Sequence, residues 1–173
     1  MRSLILGGAR SGKSHYAQQL ASQTGKPVVY IATGQARDAE MADRIAHHQQ
    51  HRPAHWQTIE EPIALADVLQ HTAQSDCCLL VDCLTLWLCN ILFDAHGQLQ
   101  ESLFLQQSQA LFDCIADLSS PVILVSNEIG QGVVPIDAMS RRFVDEAGRL
   151  HQQLAQQCEQ VFFVTAGLVQ VLK

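Results

Sequence analysis

The segment Gly7-Gly8-Ala9-Arg10-Ser11-Gly12-Lys13-Ser14 fits G-x-x-x-x-G-K-[ST] and follows directly on a short apolar run, Leu4-Ile5-Leu6. That order fixes much of what the chain can become: a buried strand, a phosphate-binding loop, then a helix. Glycines let backbone N–H groups turn inward around a β-phosphate where side chains would obstruct them. Lys13 is expected to bring its ammonium to the β and γ oxygens. Ser14 is expected to offer a hydroxyl to Mg²⁺ at the start of a helix whose positive end favours the same anion. Ala17, Leu20 and Ala21 continue at helical spacing, and Gly25-Lys26-Pro27 supplies the stop.

The remaining chain alternates strand and helix patterns. Val28 to Thr33 reads as a buried strand ending at Gly34, and Met41, Ala42, Ile45 and Ala46 form one stripe of a helix from Asp38 to about His51. Trp56 to Glu60 reads as a strand, and Pro62 opens a helix through Ala64, Leu65, Val68 and Leu69. Cys77 to Asp82 is a continuous apolar strand closed by a carboxylate, and Val122 to Ser126 is another buried strand. A helix from Leu103 to Leu118 lies between them, and Asp137 caps a long helix with Met139, Phe143, Ala147, Leu150 and Leu154 inward. Val161 to Thr165 is the last strand, followed by Gly167 and a short apolar tail. The expected fold is α/β and P-loop NTPase-like, a mainly parallel sheet with helices on both faces. A length of 173 residues fits a single domain over 1–173.

Charge and composition narrow the partners. A formal charge of −6 with no dense Lys/Arg block argues against a nucleic-acid surface. The most apolar stretch, Cys77 to Phe93, is shorter than a membrane span and carries Asp82 near its middle, so it reads as core. Met1-Arg2-Ser3 leads straight into the first strand without a signal-peptide pattern, which points to the cytoplasm. The six cysteines, Cys77, Cys78, Cys83, Cys89, Cys114 and Cys158, contain no C-x-x-C pair and read as buried small hydrophobes.

Several positions carry competing chemistry. Asp82 is the metal-side candidate, in the place of a Walker-B acid reaching Mg²⁺; the alternative, which does not exclude it, is a cap for the helix beginning at Leu84. That helix, Leu84 to Phe93, is apolar nearly all round, so it lies either in the centre of the fold or in a subunit interface; we favour an oligomer. The loop Asn127 to Pro135 is a structural turn or a substrate loop. Arg141 and Arg142 meet a phosphate or form a solvated helix face. His47, His48, His51 and His55 cluster with Arg52 in nine residues. They form a polar helix end, a metal site on the i, i+4 pair His47 and His51, or a nucleophile aimed at phosphorus.

The combination of GGARSGKS with Tyr30 to Thr33, Arg44 to His48, Arg52 to Trp56, the LLVDCLTLWLCN stretch and NEIGQGVVP resembles the bifunctional adenosylcobinamide kinase/adenosylcobinamide-phosphate guanylyltransferase family of cobalamin biosynthesis. The resemblance spans nearly the whole chain. It implies phosphorylation of the aminopropanol hydroxyl of adenosylcobinamide by a nucleoside triphosphate, ATP or GTP. GMP from GTP is then added to adenosylcobinamide phosphate, with release of pyrophosphate. It further implies a guanylyl-histidine on His47, with Lys13 and Mg²⁺ offsetting charge on the leaving group. By the same resemblance Gly7 to Ser14 hold phosphates, Thr33, Gly34, Gln35, His48, Gln49, Gln50 and His51 line the nucleotide site, and Glu60 and Asp82 contact nucleotide or metal. A homotrimer is also implied. The rival readings are a simple P-loop small-molecule kinase, or a nucleotide-binding regulatory module.

Overall fold

A computed structural model of the protein describes residues 1–35, 39, 43, 52–73 and 76–173. The expected helix from Asp38 to His51 lies outside the described residues except for Ala39 and Asp43. His47, His48, Gln49, Gln50 and His51 are therefore all outside them.

Seven strands form one sheet: β1 (Arg2–Gly7), β2 (Val28–Ala32), β3 (Gln57–Glu60), β4 (Cys78–Asp82), β5 (Val122–Asn127), β6 (Gln160–Thr165) and β7 (Leu168–Val171). Their order across the sheet is β3-β2-β4-β5-β1-β6-β7, parallel except for the antiparallel β6–β7 pair. Five described helices connect them: α1 (Lys13–Gln23), α2 (Leu65–Thr72), α3 (Leu84–Leu92), α4 (Glu101–Asp117) and α5 (Ala138–Gln157). Strands buried on both faces read as nearly continuous apolar runs, and residues 4–6 of β1, 78–81 of β4 and 122–125 of β5 meet that expectation. Alternate residues then separate by face. Ile5, Cys78, Leu80, Ile123 and Val125 pack with Ala17 and Ala21 of α1, whereas Leu4, Leu79, Val81, Val122 and Leu124 pack with the buried sides of α2 to α5. The expected α/β architecture with helices on both faces is thus present.

The all-apolar helix finds its cover inside the chain. In α3, Leu84, Trp87, Leu88, Ile91 and Leu92 are essentially inaccessible. Trp87 Nε1 donates to the carbonyl of Ile63 at 2.9 Å, tying α3 to the entry of α2. The composition of this helix therefore requires no second subunit. Other local expectations shift in detail. Helix α2 begins at Leu65 rather than near Pro62, because the Glu61 carboxylate accepts the N–H groups of Ile63 and Ala64, both at 2.8 Å, ahead of the helix. The strand expected from Trp56 starts at Gln57, and Trp56 is buried against the α1 face.

Asp137 caps α5 as expected, accepting from the Ser140 N–H at 2.8 Å. Met139 departs from the inward stripe and is 44% exposed, as the whole first turn of α5 is exposed. Arg141 donates to the carbonyls of Pro135 and Ile136, and Arg142 pairs with Glu101 and Glu146, both at 2.8 Å. Both arginines thus have structural partners. The apolar tail after Gly167 is not a tail: as β7 it adds an edge to β6, with Val164 opposite Val169. Five of the cysteines are buried, and Cys89 is half-buried. Burial lifts the thiols of Cys78, Cys114 and Cys158 to about 11, as inert core positions require.

Candidate active site

Because the first six strands run parallel, their C-terminal ends share one edge of the sheet, where open α/β folds bind ligands. Register places the sequence candidates along this edge. Glu60 and Asp82 both stand opposite Ala32, and Gly7 stands opposite Asn127. At roughly 4.8 Å between strands, Asp82 lies about two strand spacings from the Gly7 column and Glu60 about four, on the far side. Glu60 is exposed there, beside a cavity of ≈ 440 Å³ lined by Arg52, Pro53, Ala54, Trp56, Thr58 and Glu60.

The phosphate loop is held by its own backbone and by the C-terminal hairpin. Gly7 is buried at the end of β1, and a Cβ on it would meet the carbonyl of Val164 at 2.5 Å. Ser11 N–H donates to Gly8 O at 3.2 Å, and Arg10 and Gly12 both take positive φ, 57° and 96°. Gly12 then opens α1 from a left-handed conformation that glycine adopts without a Cβ penalty. Lys13 is 8% exposed, and its Nζ donates to Gly8 O at 3.2 Å, folding the ammonium back over the loop. Ser14 is half-buried in the first turn of α1, while Ala9 and Arg10 are exposed. The Gly167 N–H donates to Ser11 O at 2.8 Å, so the β6–β7 turn buttresses the loop. Sequence reasoning missed this contact, because 156 residues separate the partners and the only local signal is Gly167 itself with φ 77°.

Asp82 reaches the α1 side of the sheet, since Cys78 and Leu80, four and two residues earlier, pack there. Its Oδ2 accepts from the Tyr30 hydroxyl at 3.0 Å. The Arg52 guanidinium lies 3.5 Å above the Tyr30 ring and donates to the Thr58 hydroxyl at 2.7 Å. Burial, and then the Asp82 charge, push the Tyr30 phenol far up against the opposing influence of Arg52, so Tyr30 stays a donor. Asp82 does not cap α3: the N-cap position belongs to Cys83, which makes no side-chain capping bond. One carboxylate oxygen engaged by a tyrosine leaves the other for a cation. A carboxylate and a serine hydroxyl on one side of the sheet suit Mg²⁺, which takes one or two protein ligands and completes its shell with phosphate oxygens and water.

Thr33 is wholly buried and joins β2 to the exit of β4. Its hydroxyl donates to the Cys83 carbonyl at 2.7 Å and accepts the Cys83 N–H at 2.9 Å, while its own carbonyl accepts from Asn90 Nδ2 at 2.9 Å. Gly34 follows half-buried and Gln35 exposed. The Asn127–Pro135 loop is clamped to the phosphate loop by the Glu128 N–H, which donates to Gly7 O at 3.0 Å. Behind it, Thr85, Ser126, His151 and Glu128 form a buried polar file that the sequence did not reveal.

Fold and loop together define a P-loop nucleotide-binding protein. The crystal structure of the RadB recombinase superposes with TM-score 0.51 at 17% identity, over 94% of this chain and 73% of that one, a likeness of fold alone. Residues 3–172 match the family described as cobinamide kinase / cobinamide phosphate guanyltransferase. The bifunctional adenosylcobalamin biosynthesis protein CobP of Pseudomonas aeruginosa is 55% identical over 173 residues, covering 100% of this chain and 98% of that protein. The CobU protein of Escherichia coli, bearing the same bifunctional name, is 38% identical over 177 residues and covers 97% of each. The chain belongs to the cobinamide kinase / cobinamide phosphate guanyltransferase family, which makes it a transferase of cobalamin biosynthesis with nucleotide substrates.

Proposed function

We propose that the protein phosphorylates the aminopropanol hydroxyl of adenosylcobinamide with ATP or GTP and then converts adenosylcobinamide phosphate to adenosyl-GDP-cobinamide through a guanylyl-histidine on His47. The observation that carries this reading is the shared edge: the phosphate loop, Asp82 and the cavity at Arg52 and Glu60 follow one another along a single row of strand ends. In the second reaction an imidazole nitrogen of His47 attacks the α-phosphorus of GTP. An N–P bond forms and the α–β P–O bond breaks to release pyrophosphate. A phosphate oxygen of adenosylcobinamide phosphate then attacks the same phosphorus and frees the imidazole. Splitting one displacement into two suits histidine, whose bond to phosphorus is labile.

Within this reading Gly7 to Ser14 hold the triphosphate, with Lys13 offsetting charge as the leaving group departs. Thr33, Gly34, Gln35, His48, Gln49, Gln50, His51 and Glu60 belong to the nucleotide site. Thr33 acts there by fixing backbone, since both functions of its hydroxyl are engaged by Cys83. Ser14 and Asp82 hold Mg²⁺, which, when bound, supplies electrophilic stabilisation of the phosphates. We further propose that the chain works as one domain over 1–173, in the cytoplasm and as a homotrimer.

The test is conversion of adenosylcobinamide by purified protein supplied with ATP, GTP and Mg²⁺, followed by mass spectrometry. The native protein accumulates the GDP derivative, and His47→Ala stops at adenosylcobinamide phosphate. A His47→Ala protein that still yields the GDP derivative contradicts the covalent route.

A further inference from the structure

Thr85 on α3, Ser126 on β5, His151 on α5 and Glu128 after β5 lie in contact on the face of the sheet opposite α1. Thr85 Oγ1 is 3.1 Å from Ser126 Oγ, and Ser126 Oγ is 2.7 Å from His151 Nε2. His151 Nδ1 is 3.5 Å from Glu128 Oε2. Thr85, Ser126 and His151 are at most 8% exposed, while Glu128 is 19% exposed at the open end of the file. The Asn127 N–H donates to Thr85 Oγ1 at 2.7 Å, anchoring the inner end.

The polarity of the file follows from its ends. Nδ1 makes no hydrogen bond at 3.5 Å but faces the Glu128 carboxylate, which favours the tautomer with its proton on Nδ1 and leaves Nε2 as an acceptor. In that tautomer Ser126 donates to Nε2 and receives from Thr85. Nothing in the phosphate-binding or guanylyl-transfer chemistry uses this arrangement, yet it ends beside the phosphate loop. The Glu128 N–H donates to Gly7 O at 3.0 Å, and its Oε1 accepts the Gly130 N–H at 2.5 Å. An ionised carboxylate has about four acceptor positions, so the exposed end retains capacity for another proton donor.

We propose that Glu128 is the general base that takes the proton from the acceptor hydroxyl in the kinase step, and that His151, held by Ser126 and Thr85, is its positioning residue. This rests on the kinase and guanylyltransferase reading above. The hydroxyl oxygen forms a bond to the γ-phosphorus as the β–γ bridging P–O bond breaks. The hydroxyl proton passes to Glu128 and then to solvent, and the nucleoside diphosphate leaves. The other carboxylates along the row suit this less well. Asp82 faces α1 and is engaged by Tyr30, and Glu60 stands four strands from β1. The guanylyl steps need no such base, because both nucleophiles, a neutral imidazole and a phosphate dianion, attack without losing a proton.

That difference supplies the test. Phosphorylation of adenosylcobinamide by ATP and guanylylation by α-labelled GTP, with onward transfer to preformed adenosylcobinamide phosphate, are measured separately on Glu128→Gln, Glu128→Asp and His151→Gln. Glu128→Gln is expected to lower the kinase kcat by about 10²–10⁴-fold. KM for the alcohol and both guanylyl steps are expected to change less than about threefold. Glu128→Asp restores part of the kinase rate, and His151→Gln lowers kinase kcat about tenfold with the guanylyl steps intact. A Glu128→Gln enzyme with near-native kinase kcat overturns the assignment, as does equal loss of both activities in both Glu128 variants. Absence of guanylylation in the native enzyme contradicts the two-step reading, while the kinase arm still decides the role of Glu128.

Discussion

The Tyr30 hydroxyl donates to Oδ2 of Asp82 across 3.0 Å, joining neighbouring strands β2 and β4 at the ligand edge of the sheet. The bond leaves one face of the carboxylate open and fixes its rotation, and Arg52 stacked on the ring holds the tyrosine from the other side. Tyr30→Phe keeps the ring and its cation–π contact but frees Asp82 to rotate. Apparent affinity for the Mg²⁺–nucleotide complex is expected to weaken about tenfold, or ~1.4 kcal/mol, with the melting temperature nearly unchanged. Isothermal titration with a non-hydrolysable nucleotide checks this. An unchanged affinity would mean that Asp82 needs no such restraint.

Two glycines of the phosphate loop differ in what they can tolerate. Gly12 has φ 96°, and a Cβ there would stand 3.3 Å from the Gly167 Cα, whereas a Cβ on Gly8 meets nothing within 4 Å. Gly12→Ala is expected to cost about 1–2 kcal/mol from the left-handed backbone. That corresponds to about 2–8 °C in Tm for a chain of this size. Gly8→Ala should leave the fold within about 0.5 kcal/mol of native. Thermal denaturation of the two proteins without nucleotide makes the comparison.

Burial holds the His151 imidazole below its ordinary pKa, partly offset by the facing Glu128 carboxylate. The unfolded chain therefore binds a proton at this position more readily than the folded one. The resulting stability is complete above the ordinary histidine pKa of about 6.5 and is lost as pH falls through it toward the depressed folded value. Denaturant unfolding between pH 7.5 and 5 should show a shallower acid loss in His151→Gln than in the native protein. Parallel curves would mean that His151 titrates alike in both states.

Where local pattern dictates structure, the sequence was sufficient. The β1–loop–α1 unit follows from GGARSGKS after an apolar run, and the Asp137 cap from its place before a helical stripe. Asp82 was legible as a strand-end acid, but whether it capped α3 was not, because that depends on the backbone of Cys83. The fate of α3 was also hidden. An apolar helix reports only that it is covered, and its cover here comes from β5, α4 and α5 of the same chain. Thr33 with Cys83, fifty residues apart, and Ser126 with His151, twenty-five apart, are pairings of tertiary structure that no local pattern announces. Glu128 was visible within a loop of open character, while His151 sat unnoticed on a helix face.

The central claim is that this P-loop protein passes a guanylyl group through its own chain. Purified protein is incubated with Mg²⁺ and GTP labelled at either the α- or the γ-phosphate, denatured, and assayed for protein-bound label. The account predicts label from the α position alone, acid-labile, alkali-stable and absent from His47→Ala. Folded protein that phosphorylates adenosylcobinamide yet takes up no α-label would contradict it and leave a simple P-loop kinase.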